Sequence, residues 1–381
     1  MSEINDKYGE YIDLCTAHFK CLLESELSRC ERMKSSPPPT DFSSLPKIKI
    51  GVIYGDGIGP IITKGAERVL RHLLEGEERI EIKVIEGLTI ENRLEKGVPI
   101  PEDTLEEIKT CHVLLKGPTT TPSGGKMESA NVAMRRELDL FANVRPVAVP
   151  SLGIDWTFFR ENTEGEYILG SKGVEIPSAL AMDFKVTTDL GTERIARAAY
   201  NFARANGKKS VSIVTKSNIM KKTDGKFSEI CKRVASEYPD IETDEYYIDI
   251  MCANLINEEI RSSFSVILLP NLYGDIITDE AAQIKGGVGT SGSANIGDRY
   301  AMFEAIHGSA PRLIEKGEGD YANPQSILNA ASMLLSHIGF NDKASALSLA
   351  IEECEKKGIK PSVGGITCND YCDIIIDMLK R

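Results

Sequence analysis

Two aspartates, Asp275 and Asp279, stand four residues apart at the start of a predicted helix, so their carboxylates share one face. Hard oxygen donors so placed suit Mg2+ or Mn2+, and Asp249 could supply a third ligand from elsewhere; either acid alone would equally offset a helix dipole. Arg135, Arg145 and Arg160 fall within a short stretch rich in small polar residues. Planar guanidiniums grip carboxylates in bidentate fashion, so together they suit a substrate with several acid groups, whereas each alone reads as a surface ion pair. Tyr167 closes the segment Arg160-Glu161-Asn162-Thr163-Glu164-Gly165-Glu166-Tyr167 and adds a phenol. Lys216-Ser217-Asn218 follows the apolar run 211–215, at the strand end where α/β enzymes carry reactive groups; a lone lysine otherwise sits in solvent.

These residues need rigid elements to hold them. Runs at 48–54, 80–85, 113–116, 211–215 and 265–270 read as strands, with amphipathic helical stretches between several of them. That alternation predicts an α/β fold with a parallel or mixed sheet covered by helices. The turn Gly55-Asp56-Gly57-Ile58-Gly59-Pro60 lies between the first strand and a helix, but its third glycine comes one residue too early for a dinucleotide fingerprint. Taken alone it reads as a tight connection, with Pro60 at a helix N1 position. Ile12, Cys15, Phe19, Leu22, Leu23, Leu27, Cys30 and Met33 recur at helical spacing before Ser35-Ser36-Pro37-Pro38-Pro39, which predicts an N-terminal helix packed on the body or on a partner subunit.

The chain of 381 residues can bury a large core in two or three domains. No apolar run approaches a bilayer span, so no membrane insertion is expected. A net charge of −12 without a basic stripe argues against nucleic acid as a partner. Nine scattered cysteines with no Cys-x-x-Cys suggest neither a zinc knot nor a disulfide framework, and Glu3, Asp6, Glu10 and Asp13 are unlike a leader peptide. A reducing, cytoplasmic location is the expectation.

From about Lys47 onward the chain resembles the decarboxylating β-hydroxyacid dehydrogenases, the family of isocitrate and isopropylmalate dehydrogenases. The motifs that carry the resemblance are 55–60, 117–122, 129–135, Arg145-Pro146, 160–167, 216–220, 271–279, Gly286-Gly287-Val288-Gly289, Ala294-Asn295-Ile296-Gly297 and 303–311, in that order. Two departures stand out: Ile61 occupies a position where the family usually has glutamate, and the loop between Pro311 and Asn323 looks longer than usual.

The resemblance implies a non-Rossmann, isopropylmalate dehydrogenase-like α/β fold. Residues 46–140 and 286–381 would form a discontinuous large, cofactor-side domain, and 141–285 a small dimerisation domain with a short arm at about 167–190. Residues 1–45, a helix and Pro-rich linker, lie outside the family core. A homodimer with shared sites is implied: Lys216 and Asp249 would reach the partner's site, while Tyr167, Asp275, Asp279 and the arginines serve their own. Asp249, Asp275 and Asp279 would hold the metal. Ser129, Asn131, Arg135, Arg145, Arg160 and Asn218 would bind a small tricarboxylate substrate. Lys216 would move the hydroxyl proton, and Tyr167 would protonate the enol left by decarboxylation. Thr120, Thr121, Glu304, His307, Gly308, Ser309, Ala310, Pro311, Arg312, Leu313 and Asn323 would bind the dinucleotide.

Ser129 and Asn131 stand where isopropylmalate-type members present leucines, so isocitrate is the expected substrate; unpaired polar groups against an isopropyl group would cost about 1–3 kcal/mol each. Homoisocitrate, one methylene longer, is the nearest competitor. For the acceptor, Arg312 could bind the 2′-phosphate of NADP. Leu313 and the acidic Glu315, Glu318 and Asp320 favour NAD, which is the expected cofactor.

Overall fold

The computed structural model describes residues 2–122, 127–287 and 290–380; Val288 and Gly289 of the Gly286-Gly287-Val288-Gly289 motif lie outside them. Its strands are β1 (Ile48–Ile53), β2 (Ile80–Val84), β3 (Val113–Lys116), β4 (Ala142–Val149), β5 (Ile154–Glu161), β6 (Val174–Ile176), β7 (Leu180–Met182), β8 (Ser210–Thr215), β9 (Glu242–Tyr247), β10 (Val266–Leu269), β11 (Gly292–Ile296) and β12 (Ala301–Ala305). Ten of them form one mixed sheet in the order β2-β1-β3-β12-β11-β4-β5-β10-β8-β9. The first five strands in that order come from residues 48–116 and 292–305, the last five from 142–269. The seam is an antiparallel pairing in which Ala294 of β11 faces Val144 of β4.

The five strands read from apolar runs are all present within a residue or two. β4 and β5 escape that reading because buried polar residues, Asn143, Arg145, Thr157 and Arg160, interrupt their apolar pattern. They pair antiparallel along their whole length, from Ala142 opposite Glu161 to Val149 opposite Ile154. Helices Gly59–Leu73, Gln325–His337 and Cys368–Leu379 bury apolar faces against the β1-β3-β12 half, with Val52, Val69, Leu115, Leu328 and Tyr371 in one core. Trp156, Phe158, Met251, Leu269 and Ile277 form a second core under helices Ile248–Ile256 and Asn271–Ile284. Burying a large apolar side chain contributes about 1.5–3 kcal/mol, so these clusters anchor the strand ends on which the site is built.

The glycine turn ties three loops together. Gly55 (φ +76°) and Gly57 (φ +59°) are left-handed, and a Cβ at either would lie 2.1 Å from a carbonyl oxygen, of Pro118 and Ser309 respectively. Only glycine fits there. The Asp56 amide donates to Pro118 O at 2.7 Å and the Ile58 amide to Ser309 O at 3.0 Å. Two places singled out in the sequence are neighbours: the side chains of Ile61 and Ile314 both lie against Gly319 of the 311–323 segment.

The N-terminal helix spans Ser2–Met33. Phe19 stacks near Phe184 with ring centroids 5.3 Å apart, and His18 Nε2 lies 2.9 Å from Lys172 O, so the helix rests on the arm. Its predicted apolar face is split: Leu22 is buried, while Ile12, Leu23 and Leu27 are exposed. The arm is the antiparallel hairpin β6-β7. The nine cysteines are all free, and among the described residues no helix is long and apolar enough to cross a membrane.

Candidate active site

The carboxyl end of β5, the amino-terminal half of β4 and the helix Asn271–Ile284 bring the acids, two of the arginines and the phenol together. The helix begins right after Pro270 and holds no acid in its first turn, which corrects the reading of Asp275 and Asp279 as helix-start residues. Asp275 lies one turn in and Asp279 two. Dipole compensation therefore does not explain them.

Arg160, at the end of β5, is almost wholly buried. Its Nε and NH2 donate to Asn271 Oδ1 at 3.0 and 2.7 Å, and its NH1 pairs with Asp275 Oδ1. Arg145 on β4 donates through Nε to Asn143 Oδ1 at 2.9 Å and through NH1 to Thr278 Oγ1 at 2.7 Å and Asp279 Oδ1 at 3.1 Å. The Tyr167 hydroxyl donates to Asp275 Oδ2 at 2.7 Å, and its ring lies beneath the Arg160 guanidinium at 5.3 Å. Burial would raise the Asp275 carboxyl, but Arg160, the Tyr167 hydrogen bond and Arg145 outweigh it and hold the group below its ordinary value. Burial, then the Asp275 carboxylate, pushes the Tyr167 phenol up, so it stays protonated at neutral pH and able to donate.

Arg135 reaches the cluster from the helix Ala130–Glu137, donating NH2 to Glu304 Oε1 at 3.2 Å. Glu304 also accepts from Asn295 Nδ2 at 2.8 Å and from Lys116 Nζ at 3.3 Å. Although burial opposes ionisation, Lys116 and Arg135 hold Glu304 down to about 2. Glu304, expected at the dinucleotide, is held by Arg135, Lys116 and Asn295. Burial and repulsion from Arg135 drive Arg160 down to about 10 and lower Arg145 as well. Arg145 and Arg160 are buried, so solvent screens the repulsion among the three guanidiniums only weakly.

Lys216 and Asp249 lie apart from this cluster. Lys216 Nζ donates to Asp249 Oδ1 at 2.6 Å, and that hydrogen bond lowers the Asp249 carboxyl. Among the described residues no three acids of one chain gather as a metal site, so Asp249 does not join Asp275 and Asp279 within one copy. Asn218 is exposed just beyond Lys216. Ser129 stands at the N-cap of its helix without a side-chain capping bond, and Asn131 Oδ1 accepts from Thr119 Oγ1 at 3.0 Å.

Among the residues expected at the dinucleotide, the Thr120 and Ser309 hydroxyls lie 2.7 Å apart. Ala310 takes the left-handed conformation (φ 45°) and Pro311 opens the helix Pro311–Glu315. His307 Nδ1 lies 3.0 Å from Gly308 O, and Asn323 Oδ1 accepts from the Gln325 amide at 3.1 Å. Thr121, Gly308 and Arg312 are exposed, while Leu313 packs on the core. Sequence reading missed Asp56 and Arg93. Asp56 accepts from the amides of Ile90 and Thr120, each at 2.7 Å, and from Arg93 NH2 at 2.8 Å, and Arg93 NH2 also donates to Thr120 O at 2.8 Å. Asp56 was visible only as part of the glycine turn; nothing near Arg93 in sequence marks its role.

A family model described as isocitrate/isopropylmalate dehydrogenase matches residues 49–373. A Rickettsia felis protein named isocitrate dehydrogenase (NADP) is 43% identical over 325 residues, which are 82% of this chain; the chain spans 64% of that relative's length. A Schizosaccharomyces pombe protein named isocitrate dehydrogenase (NAD) subunit 2, mitochondrial, is 36% identical over 343 residues, 87% of each chain. The crystal structure of isocitrate dehydrogenase from Methylococcus capsulatus superimposes with a TM-score of 0.79 at 34% identity, over 88% of this chain and all of that one.

Proposed function

The chain belongs to the isocitrate/isopropylmalate dehydrogenase family, and from that premise we propose that it oxidises isocitrate and decarboxylates it to 2-oxoglutarate, with NAD as electron acceptor and Mg2+ or Mn2+ as cofactor. The observation that carries this reading is the crowding of Arg135, Arg145 and Arg160, whose mutual repulsion a substrate with three carboxylates relieves. Thr119 occupies the carbonyl oxygen of Asn131 and leaves its amide group to donate, which suits a carboxylate and not an isopropyl group.

Asp275 and Asp279 fit a divalent ion by donor type and by sharing a helix face, with Asp279 63% exposed. Asp249 of a second copy would be the third donor. When bound, such an ion polarises the substrate's hydroxyl and stabilises the negative charge that develops on decarboxylation. Lys216, also from a second copy, takes the hydroxyl proton through water as hydride departs. Tyr167 gives its phenolic proton to the enol carbon after CO2 is lost, oriented by its bond to Asp275. The arginines hold the remaining carboxylates throughout.

Steady-state rates with isocitrate, homoisocitrate and 3-isopropylmalate, each with NAD and NADP in the presence of Mn2+, test the proposal. Isocitrate with NAD is expected to be turned over best. Faster turnover of isopropylmalate would overturn the substrate, and turnover only after adding a second polypeptide would make the chain one subunit of a heteromeric enzyme.

A further inference from the structure

The N-terminal helix lies outside the residues that match the family, yet it makes a buried ionic contact with the site loop. Arg29 NH2 donates to Glu164 Oε1 at 2.9 Å and its Nε to Glu26 Oε2 at 2.8 Å, with the Arg29 side chain 17% and the Glu164 side chain 3% exposed. Glu164 belongs to the loop that runs from β5 to Tyr167. Its carboxylate also accepts from the Thr188 amide at 2.9 Å and from the Thr188 hydroxyl, while its backbone carbonyl accepts from Asn271 Nδ2 at 3.0 Å. Asn271 Oδ1 in turn receives Arg160, and Arg160 pairs with the Asp275 that holds Tyr167. Among the described residues, Arg29 is the only cation in ion-pair range of Glu164.

A buried carboxylate without a counter-ion must reach water or take up a proton, and either response shifts the backbone that carries it. In this loop the shift would pull the Glu164 carbonyl from Asn271 and release Arg160. The apolar docking of the helix sits elsewhere, at Phe19 and Leu22, so it survives the loss of Arg29.

We propose that Arg29 is a positioning residue: by neutralising Glu164 it fixes the 161–167 loop and, through Asn271 and Arg160, the Tyr167 phenol, so that the N-terminal helix governs turnover. The inference rests on the activity proposed above. It is tested in the full-length chain with Arg29→Gln, Arg29→Lys, and Arg29→Gln combined with Glu164→Gln, by kinetics and by amide hydrogen exchange at Thr188 and the 161–167 loop. Arg29→Gln is expected to lower kcat roughly tenfold, the order of a coupling through packed and hydrogen-bonded neighbours, with a smaller change in the KM for isocitrate. Its loop amides should exchange faster. Arg29→Lys keeps most of the rate, and removing the Glu164 charge in the Arg29→Gln background restores both rate and protection, which a merely structural helix would not show. Unchanged exchange in Arg29→Gln, or a defect that Glu164→Gln does not relieve, overturns the inference. A wild-type chain that turns over no hydroxyacid while Arg29→Gln still loosens the loop refutes the proposed activity and leaves the Arg29–Glu164 coupling standing.

Discussion

The Tyr167 hydroxyl donates a 2.7 Å hydrogen bond to Oδ2 of Asp275, whose other oxygen pairs with Arg160. One carboxylate therefore orients both the Tyr167 phenol and the Arg160 guanidinium. Tyr167→Phe keeps the ring and removes the proton. Its kcat should fall roughly a hundredfold or more, the usual contribution of a positioned general acid, while the KM for isocitrate changes little. A rate within a few-fold of wild type in a steady-state assay would take Tyr167 out of the mechanism.

Lys216 pairs with Asp249, away from the cluster around Tyr167. If each site draws on two copies, Lys216→Met should abolish turnover yet leave Mn2+-isocitrate binding, measured by calorimetry, largely intact. Mixing and reassembling Lys216→Met with Tyr167→Phe should then recover about a quarter of the wild-type rate, because half the dimers are hybrids with one intact site. No recovery on mixing, despite confirmed subunit exchange, would place both residues in one chain's site.

Asn131 is held by Thr119, one turn before Arg135 on the same helix. Asn131→Leu should lower kcat/KM for isocitrate roughly ten- to hundredfold and raise that for 3-isopropylmalate, since a lost polar partner weighs more than a methylene. Parallel loss on both acids would mean that the residue does not choose between them.

Arg312 is exposed on the short helix after Pro311. With NAD preferred, Arg312→Asp should change kcat/KM for NAD by less than about fivefold, the scale of an exposed ionic contact. Higher kcat/KM with NADP in the wild type, reversed by Arg312→Asp, would make NADP the acceptor.

His337 lies between the rings of Phe42 and Phe303, with centroids 5.1 and 5.4 Å away. Burial lowers it from its ordinary 6.5 to about 4. Below pH 6.5 the unfolded chain takes up a proton that the folded chain refuses, so this residue's share of stability is lost as pH falls from 6.5 toward 4. His337→Phe should make the fall of Tm across that interval less steep. Equal slopes in melting curves recorded at several pH values would rule this out.

The order of motifs along the chain, the α/β class and the residue types of the site were legible in the sequence, because apolar runs mark strand cores and reactive groups cluster at the strand ends that follow. Lys116, Arg135, Arg145, Arg160, Tyr167 and Asp275 all stood in short segments whose composition is unusual for a surface. Strands β4 and β5 were not legible, since their buried polar residues erase the two-residue alternation that identifies a strand.

Pairing was decided only in three dimensions. Arg93 and Asp56 are 37 residues apart, Glu304 and Lys116 are 188, and Arg29 and Glu164 are 135. No local pattern records such a distance. Burying a charge without a partner is costly, and which partner it meets depends on the strand order that places β12 next to β3 and β4 next to β5. The sequence by itself determined which chemistry was available; the packing of the sheet determined that Glu304 pairs with Arg135, that Asp249 stands apart from Asp275 and Asp279, and that the N-terminal helix reaches the site loop through a single guanidinium.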